Sequence, residues 1–369
     1  MSDTLRQVED RSGAGGNGRG GGRGDGRGGR GRGGGRRRRG GERSMVPAAE
    51  FTSYYGRPIV KPSPWEVDIP AYLFAGGLAA GSSLLSAGAD LTGRPGLRRV
   101  GRLGAIGALS FSMVALVHDL GRPSRFLHML RVAKLTSPMS VGTWILSAYG
   151  PFAGAAAAAE VVSMLPDDVR LRGPLRLVEA VGRPAGLVAA VFAPPVASYT
   201  AVLLSDTATP SWHEAYRELP FVFVGSAAAA ASGLGLIGAP THETGPARRL
   251  AVGGALLELA AERRMERSMG VTAEPLHEGK AGRLMRAARA LTVAGAVGAA
   301  LPVRSRAVSV LSGAALMAGS ACIRLGVFEA GQASARDPKY TVVSQRQRME
   351  REGPARHRPE DPEGPVAAS

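Results

Sequence analysis

The sequence predicts an all-α, polytopic membrane protein of about eight transmembrane helices, preceded by a disordered Gly/Arg-rich tail. Three observations lead there. The averages describe a soluble basic chain, with mean hydropathy +0.00 and formal net charge +16 over 369 residues, yet neither is evenly spread. Much of the positive excess sits in residues 1–44, which are mostly Gly and Arg. From about Ile69 to Gly331 the chain instead alternates Ala/Leu/Val/Gly-rich blocks with short Arg clusters, the composition of repeated membrane spans.

The tail, residues 1–44, has too few apolar side chains to offset the entropy of ordering and is expected to be disordered. Its basic repeats suit anionic lipid headgroups. They suit nucleic acid less well, because Phe and Tyr for base stacking are missing among them. Residues 45–68 form a juxtamembrane segment, residues 69–330 the membrane domain, and residues 331–369 a polar C-terminal tail.

Crossing the hydrocarbon core takes ~20 mainly apolar residues. The segments that qualify are Ile69–Ala89, Val100–Leu120, Met139–Leu165, Ala185–Leu204, Leu219–Ala239, Leu250–Ala261, Ala287–Leu301 and Ala307–Phe328. The sixth and seventh are short, and Glu258 lies inside the sixth. Continuous apolar runs, rather than alternating ones, favour helices over a β-barrel. Gly76, Gly77, Gly81, Gly104 and Gly107 read as helix-packing positions. Basic residues flank both ends of the spans, so orientation stays open, although the tail favours a cytoplasmic N-terminus.

Ionisable and polar groups at span ends or inside spans are the functional candidates. Asp68 and Tyr72 stand four apart, on one helix face at the mouth of the first span. They can hydrogen-bond a quinone-like carbonyl and exchange its protons. Alternatively they anchor the interface, with Asp68 as a helix cap before Pro70. His118 and Asp119 end the second span beside Arg122 and Arg125, as a proton path, an anionic-lipid site or an Arg–Asp-clamped loop. Tyr199 follows the Pro194–Pro195 pair, and its hydroxyl needs a ligand oxygen or a neighbouring carbonyl. Glu258 reads either as a proton-relay carboxylate or as part of a snorkelling span end in which Glu262 pairs with Arg263.

The metal-ligand inventory is thin. The single Cys322 rules out an intrachain disulfide and a cluster ligated by four thiolates of this chain. Of the six histidines only His118 falls within a span, so a bis-His haem has no ligand set. No haem, iron–sulfur cluster or protein metal site is expected in this chain.

Three stretches resemble the NrfD family, which includes the membrane subunit of polysulfide reductase. They are WEVDIPAYLFAGGLAAGS at residues 65–82, DLGRPSRFLHMLRVAKLTSPMSVGTW at 119–144, and RLGVFEAGQASARDPKY at 324–340. The resemblance spans about residues 60–345 and implies a multi-pass subunit of the bacterial cell (inner) membrane. It implies menaquinone or ubiquinone as bound substrate, a four-cluster ferredoxin-like iron–sulfur partner, and a molybdopterin or cytochrome catalytic subunit beyond it. By position, Tyr199 resembles the fourth-helix tyrosine at the quinone head of polysulfide reductase. Asp68 and Tyr72 occupy the places of the polar pair, which is Asn and His in that protein. The second stretch implies a partner-docking loop through Arg122, Arg125, Ser137 and Pro138.

The expectation is therefore a quinone-binding membrane subunit that exchanges electrons between a quinone pool and a peripheral iron–sulfur protein. Asp68, Tyr72 and Tyr199 would hold the head group, and His118, Asp119 and Glu258 would move protons. A purely anchoring subunit and a transporter are the alternatives. The transporter reading lacks an internal repeat with a midplane site.

Overall fold

The computed structural model describes residues 58–120, 126–167, 173–302 and 305–352. The Gly/Arg tail, Arg122 and Arg125 lie outside the described residues. Among the described residues the regular structure is entirely helical. In chain order the helices are α1 (Asp68–Leu91), α2 (Pro95–Asp119), α3 (Phe126–Met129), α4 (Pro138–Val162), α5 (Pro174–Ser205) and α6 (Pro210–Glu214). They continue with α7 (Leu219–Gly238), α8 (Gly245–Met269), a 3₁₀ turn (Gly270–Leu276), α9 (Gly279–Ala300), α10 (Arg306–Arg336) and α11 (Lys339–Glu352).

Local sequence explains where these helices start and stop. Proline stands in the first turn of α2, α4, α5, α6, α7 and α8. There its missing N–H costs nothing and its fixed φ suits the helix. Gly93 closes α1 at φ 67°, a conformation that a side chain disfavours. The amide of Arg94 then bonds back to the Ala89 carbonyl at 2.9 Å.

Every segment read as a span is a helix. Six of them, α1, α2, α4, α5, α7 and α10, are long and apolar enough to cross a membrane. The other two, α8 and α9, run 25 and 22 residues but carry more charge. The boundaries moved outward where polar residues continue an apolar run. Thus α5 starts at Pro174 rather than near Ala185 and is 32 residues long, about 48 Å at 1.5 Å per residue. Likewise α10 continues to Arg336, and α11 follows within the segment read as a polar tail. Pro194 and Pro195 lie inside α5 without ending it, and Ser198 Oγ donates to the Pro194 carbonyl at 2.9 Å.

The long helices pack as two groups of four, α1/α2/α4/α5 and α7/α8/α9/α10. The groups meet through α1 and α5 against α7, and through α10 against α1. Of the six apolar helices α1 is the most buried, being surrounded by α2, α5, α7 and α10. Glycine permits the tightest of these approaches: a Cβ on Gly81 would lie 2.5 Å from the Ala227 carbonyl oxygen. Gly107 does not share that role, since nothing lies within 4 Å of its Cβ position. The outer surface carries exposed Phe111, Val114, Val191, Leu256 and Leu311, the apolar exterior of a helix bundle in lipid.

Candidate functional site

The helices alternate in direction, so one end of the bundle collects the starts of α1, α4, α7 and α9 with the ends of α2, α5, α8 and α10. That end holds most of the sequence-predicted groups. The segment leading into α1 is fixed first. The Gln332 side-chain amide on α10 donates to the Ser63 and Trp65 carbonyls at 3.0 and 3.3 Å. Trp65 stacks on Trp212 with ring centroids 6.0 Å apart, and Trp212 packs in turn against Phe328 at 5.7 Å. Trp212 Nε1 donates to the Val327 carbonyl at 2.8 Å. The first and third of the motif stretches are therefore in contact, and together they set where α1 begins.

Asp68 and Tyr72 then diverge. Asp68 is the first residue of α1 and caps nothing with its side chain. Its carboxylate meets His118 Nδ1 at 2.7 Å, at a largely exposed position. Asp119 is half-buried beside it. Tyr72, one turn deeper, is buried, which rules out a headgroup anchor. Its hydroxyl is hydrogen-bonded to the Tyr199 hydroxyl, also buried. Among the described residues Tyr199 thus finds neither a carbonyl nor a charged group as partner, but a second phenol. Ser112 Oγ on α2 donates to the Tyr72 carbonyl at 3.1 Å and ties α2 to the pair.

The position of the Tyr199 ring is set by Gly142. A Cβ at that position would collide with the ring edge, 2.5 Å from Cδ2. Gly142 belongs to the second motif stretch, so each stretch contributes to this end of the bundle. The same ring lines an apolar cleft of about 650 Å³ between α4, α5 and α7. Its walls include Pro138, Ile145, Pro194, Pro195 and Phe221. Pro138 is thereby a cleft residue as well as the first residue of α4. Ser137 caps α4 through its hydroxyl, accepting from the Ser140 amide at 3.5 Å. Ser140 Oγ donates to the Val132 carbonyl at 2.8 Å and folds the preceding loop onto the helix.

Glu258 lies apart, inside the second helix group. It is fully buried, so it does not snorkel, and its Oε1 accepts from Thr292 Oγ1 at 2.9 Å. Glu262 bonds to Arg289 Nε at 3.0 Å rather than to Arg263, because Arg289 projects inward from the neighbouring α9. Arg289 also pairs with Glu266.

Sequence reasoning missed the cation that shares this region. Arg324 of α10 is 1% exposed. It donates through Nη2 to the Phe223 carbonyl at 2.8 Å, lies over the Phe223 ring and feels the charge of Glu258. Gly77 leaves space for its guanidinium. Its signal was present in the sequence, as a lone arginine inside the last apolar run. A second missed group, at the opposite end, is the cluster of Asp90 and Arg98 with the buried Arg102 and Glu160, in which Arg98 Nε lies 3.0 Å from Glu160.

Outside the spans, α11 is clamped over this end of the bundle. Lys339 Nζ donates to Glu274 at 2.5 Å. That bond holds the Lys339 ammonium above the usual lysine range.

The family model described as "Polysulphide reductase, NrfD" matches residues 59–241. The match spans α1 to α7 and takes in the Tyr72–Tyr199 pair, the Asp68–His118 pair and the α4–α5–α7 cleft. It stops before Glu258 and before the third motif stretch. No curated protein matches the chain.

Proposed function

Because the chain carries an NrfD segment over residues 59–241, the membrane-subunit segment of redox complexes, we propose that it is the quinone-reactive subunit of a multi-subunit oxidoreductase. It exchanges electrons between menaquinone or ubiquinone and a peripheral four-cluster iron–sulfur protein, with a molybdopterin catalytic subunit beyond. The observation that supports this most is the buried Tyr72–Tyr199 pair at the edge of an apolar cleft. Two phenols sharing one bond hold a second donor in reserve, so either can turn to a quinone oxygen without leaving its partner unsatisfied. The cleft walls suit an isoprenoid tail.

In this reading quinone chemistry supplies the electron transfer, and the side chains hold the ring and handle protons. Tyr199 and Tyr72 bind the head-group oxygen. Asp68 and His118, at the mouth between α1 and α2, exchange protons with the aqueous phase, with Asp119 adjacent. Glu258 and its Thr292 bond offer a second, deeper proton site. Ser137 and Pro138 belong to the surface that meets the iron–sulfur partner, together with the Arg122 and Arg125 loop. The bacterial cell (inner) membrane is the proposed location, with all eight long helices crossing it.

The test is direct. Tyr199→Phe should leave the complex assembled but impair quinol-linked turnover, whereas wild-type turnover in that variant removes Tyr199 from the site. An anchoring subunit that binds no quinone would show assembly with no dependence on either tyrosine.

A further inference from the structure

The end of the bundle opposite the tyrosines carries a second cleft of about 650 Å³, between α8 and the end of α9. We propose that it binds the phosphate headgroup of an acidic phospholipid. Its polar lining is Thr241, His242, Thr244, Arg248 and Arg249, and none of the described lining residues is acidic. Glu243 lies outside the lining; its Oε2 accepts the Leu97 amide at 2.8 Å, while its Oε1 stands 3.8 Å from His242 Nε2.

Arg248 is held in place before any ligand arrives. It donates to the Leu301 carbonyl at 2.9 Å, the Ala299 carbonyl at 3.2 Å, Ser309 Oγ at 3.0 Å and Thr244 Oγ1 at 3.3 Å. These four bonds hold the guanidinium at the cleft that it lines. Arg249 is exposed at the rim, and none of the described carboxylates lies within ion-pair distance of it. Two arginines and an imidazole therefore converge on one opening at this end of the bundle, a group that attracts an anionic headgroup.

The rest of the cleft favours a lipid over a free anion. Ala299, Ala300, Leu301, Pro302 and Val252 complete its wall. From Val252 the apolar surface continues toward the bundle middle through exposed Leu256 on α8 and through exposed Val297 and Val293 on α9. Each step is one helical turn, so acyl chains can follow the rows while the phosphate stays at the arginines.

The experiment uses the full chain in its complex, purified in detergent, delipidated and titrated with phosphatidylglycerol, phosphatidylcholine, inorganic phosphate or glycerol phosphate. Binding is read by native mass spectrometry and by thermal shift. Phosphatidylglycerol should bind and raise the unfolding temperature, and Arg249→Gln should weaken its binding roughly fivefold. Arg267→Gln, which removes one charge at the other end, should leave binding unchanged. Arg249 lies at the rim, so its variant should match the wild type in stability without lipid. Equal binding of phosphatidylcholine, an equal response to either tail-less phosphate, or unaltered phosphatidylglycerol binding in Arg249→Gln would overturn the proposal.

Discussion

Tyr72 on α1 and Tyr199 on α5 are separated by 127 residues, yet their hydroxyls are hydrogen-bonded to each other in the buried part of the bundle. Neither phenol has another side-chain partner in the described structure. Each therefore depends on the other, and the phenol that accepts in the pair keeps its own O–H free to donate to a ligand oxygen. In the proposed mechanism that donation is the binding event.

Loss of either hydroxyl should then have much the same effect. Tyr72→Phe and Tyr199→Phe should each lower quinol-linked turnover by about tenfold or more. The double variant should be little worse than either single one, since groups acting as a unit are not additive. Steady-state kinetics on the assembled complex decides this, and multiplicative losses would show that the two hydroxyls act separately.

Gly142 sets the Tyr199 ring without touching its hydroxyl. Gly142→Ala places a methyl where the ring edge lies. It should cost about 1–3 kcal/mol of stability by overpacking and should raise the apparent KM for quinol. Thermal unfolding in detergent and a quinol titration measure both. An unchanged KM would mean that the ring position does not matter to binding.

The Asp68–His118 pair sits at the exposed mouth, and proton exchange is the role proposed for it. Asp68→Asn should keep quinone occupancy near wild type while kcat falls about 10²-fold, the scale of a lost general acid–base group. Turnover measured across pH, alongside extraction of bound quinone, separates these effects. A loss of occupancy with kcat retained would move Asp68 from proton handling to binding.

Arg324 and Glu258 illustrate the energetics of buried charge. Removing one partner leaves the other uncompensated in a low-dielectric interior, which typically costs about 3–5 kcal/mol. Arg324→Met and Glu258→Gln should each lower the unfolding temperature strongly, and the double variant should recover most of the loss. A double variant as unstable as the sum of the singles would show that the two charges are not coupled.

Much of this architecture was legible in the sequence. Apolar runs of span length gave every long helix, because in lipid the backbone must satisfy itself locally and length alone is informative. The ends were less legible. Arg and Glu extend α5, α8 and α10 beyond their apolar cores, since helix formation does not stop where hydropathy does. Tyr72 and Tyr199 were each visible as candidates through position and motif, but their mutual bond was not, because it depends on how α1 and α5 pack across 127 residues. The same limit hid the partners of Glu262 and Asp68, which lie on neighbouring helices rather than nearby in the chain. Arg324 was readable as a charge within a span, whereas its contacts with Phe223 and Gly77 follow from packing alone.

The most direct test of the quinone assignment is the quinone content of the purified complex, extracted and quantified per chain for the wild type and for Tyr199→Phe. The account predicts about one tightly bound menaquinone or ubiquinone in the wild type and a marked loss in the variant, with assembly unchanged. A normally assembled wild-type complex that carries no quinone and binds none on addition would contradict it.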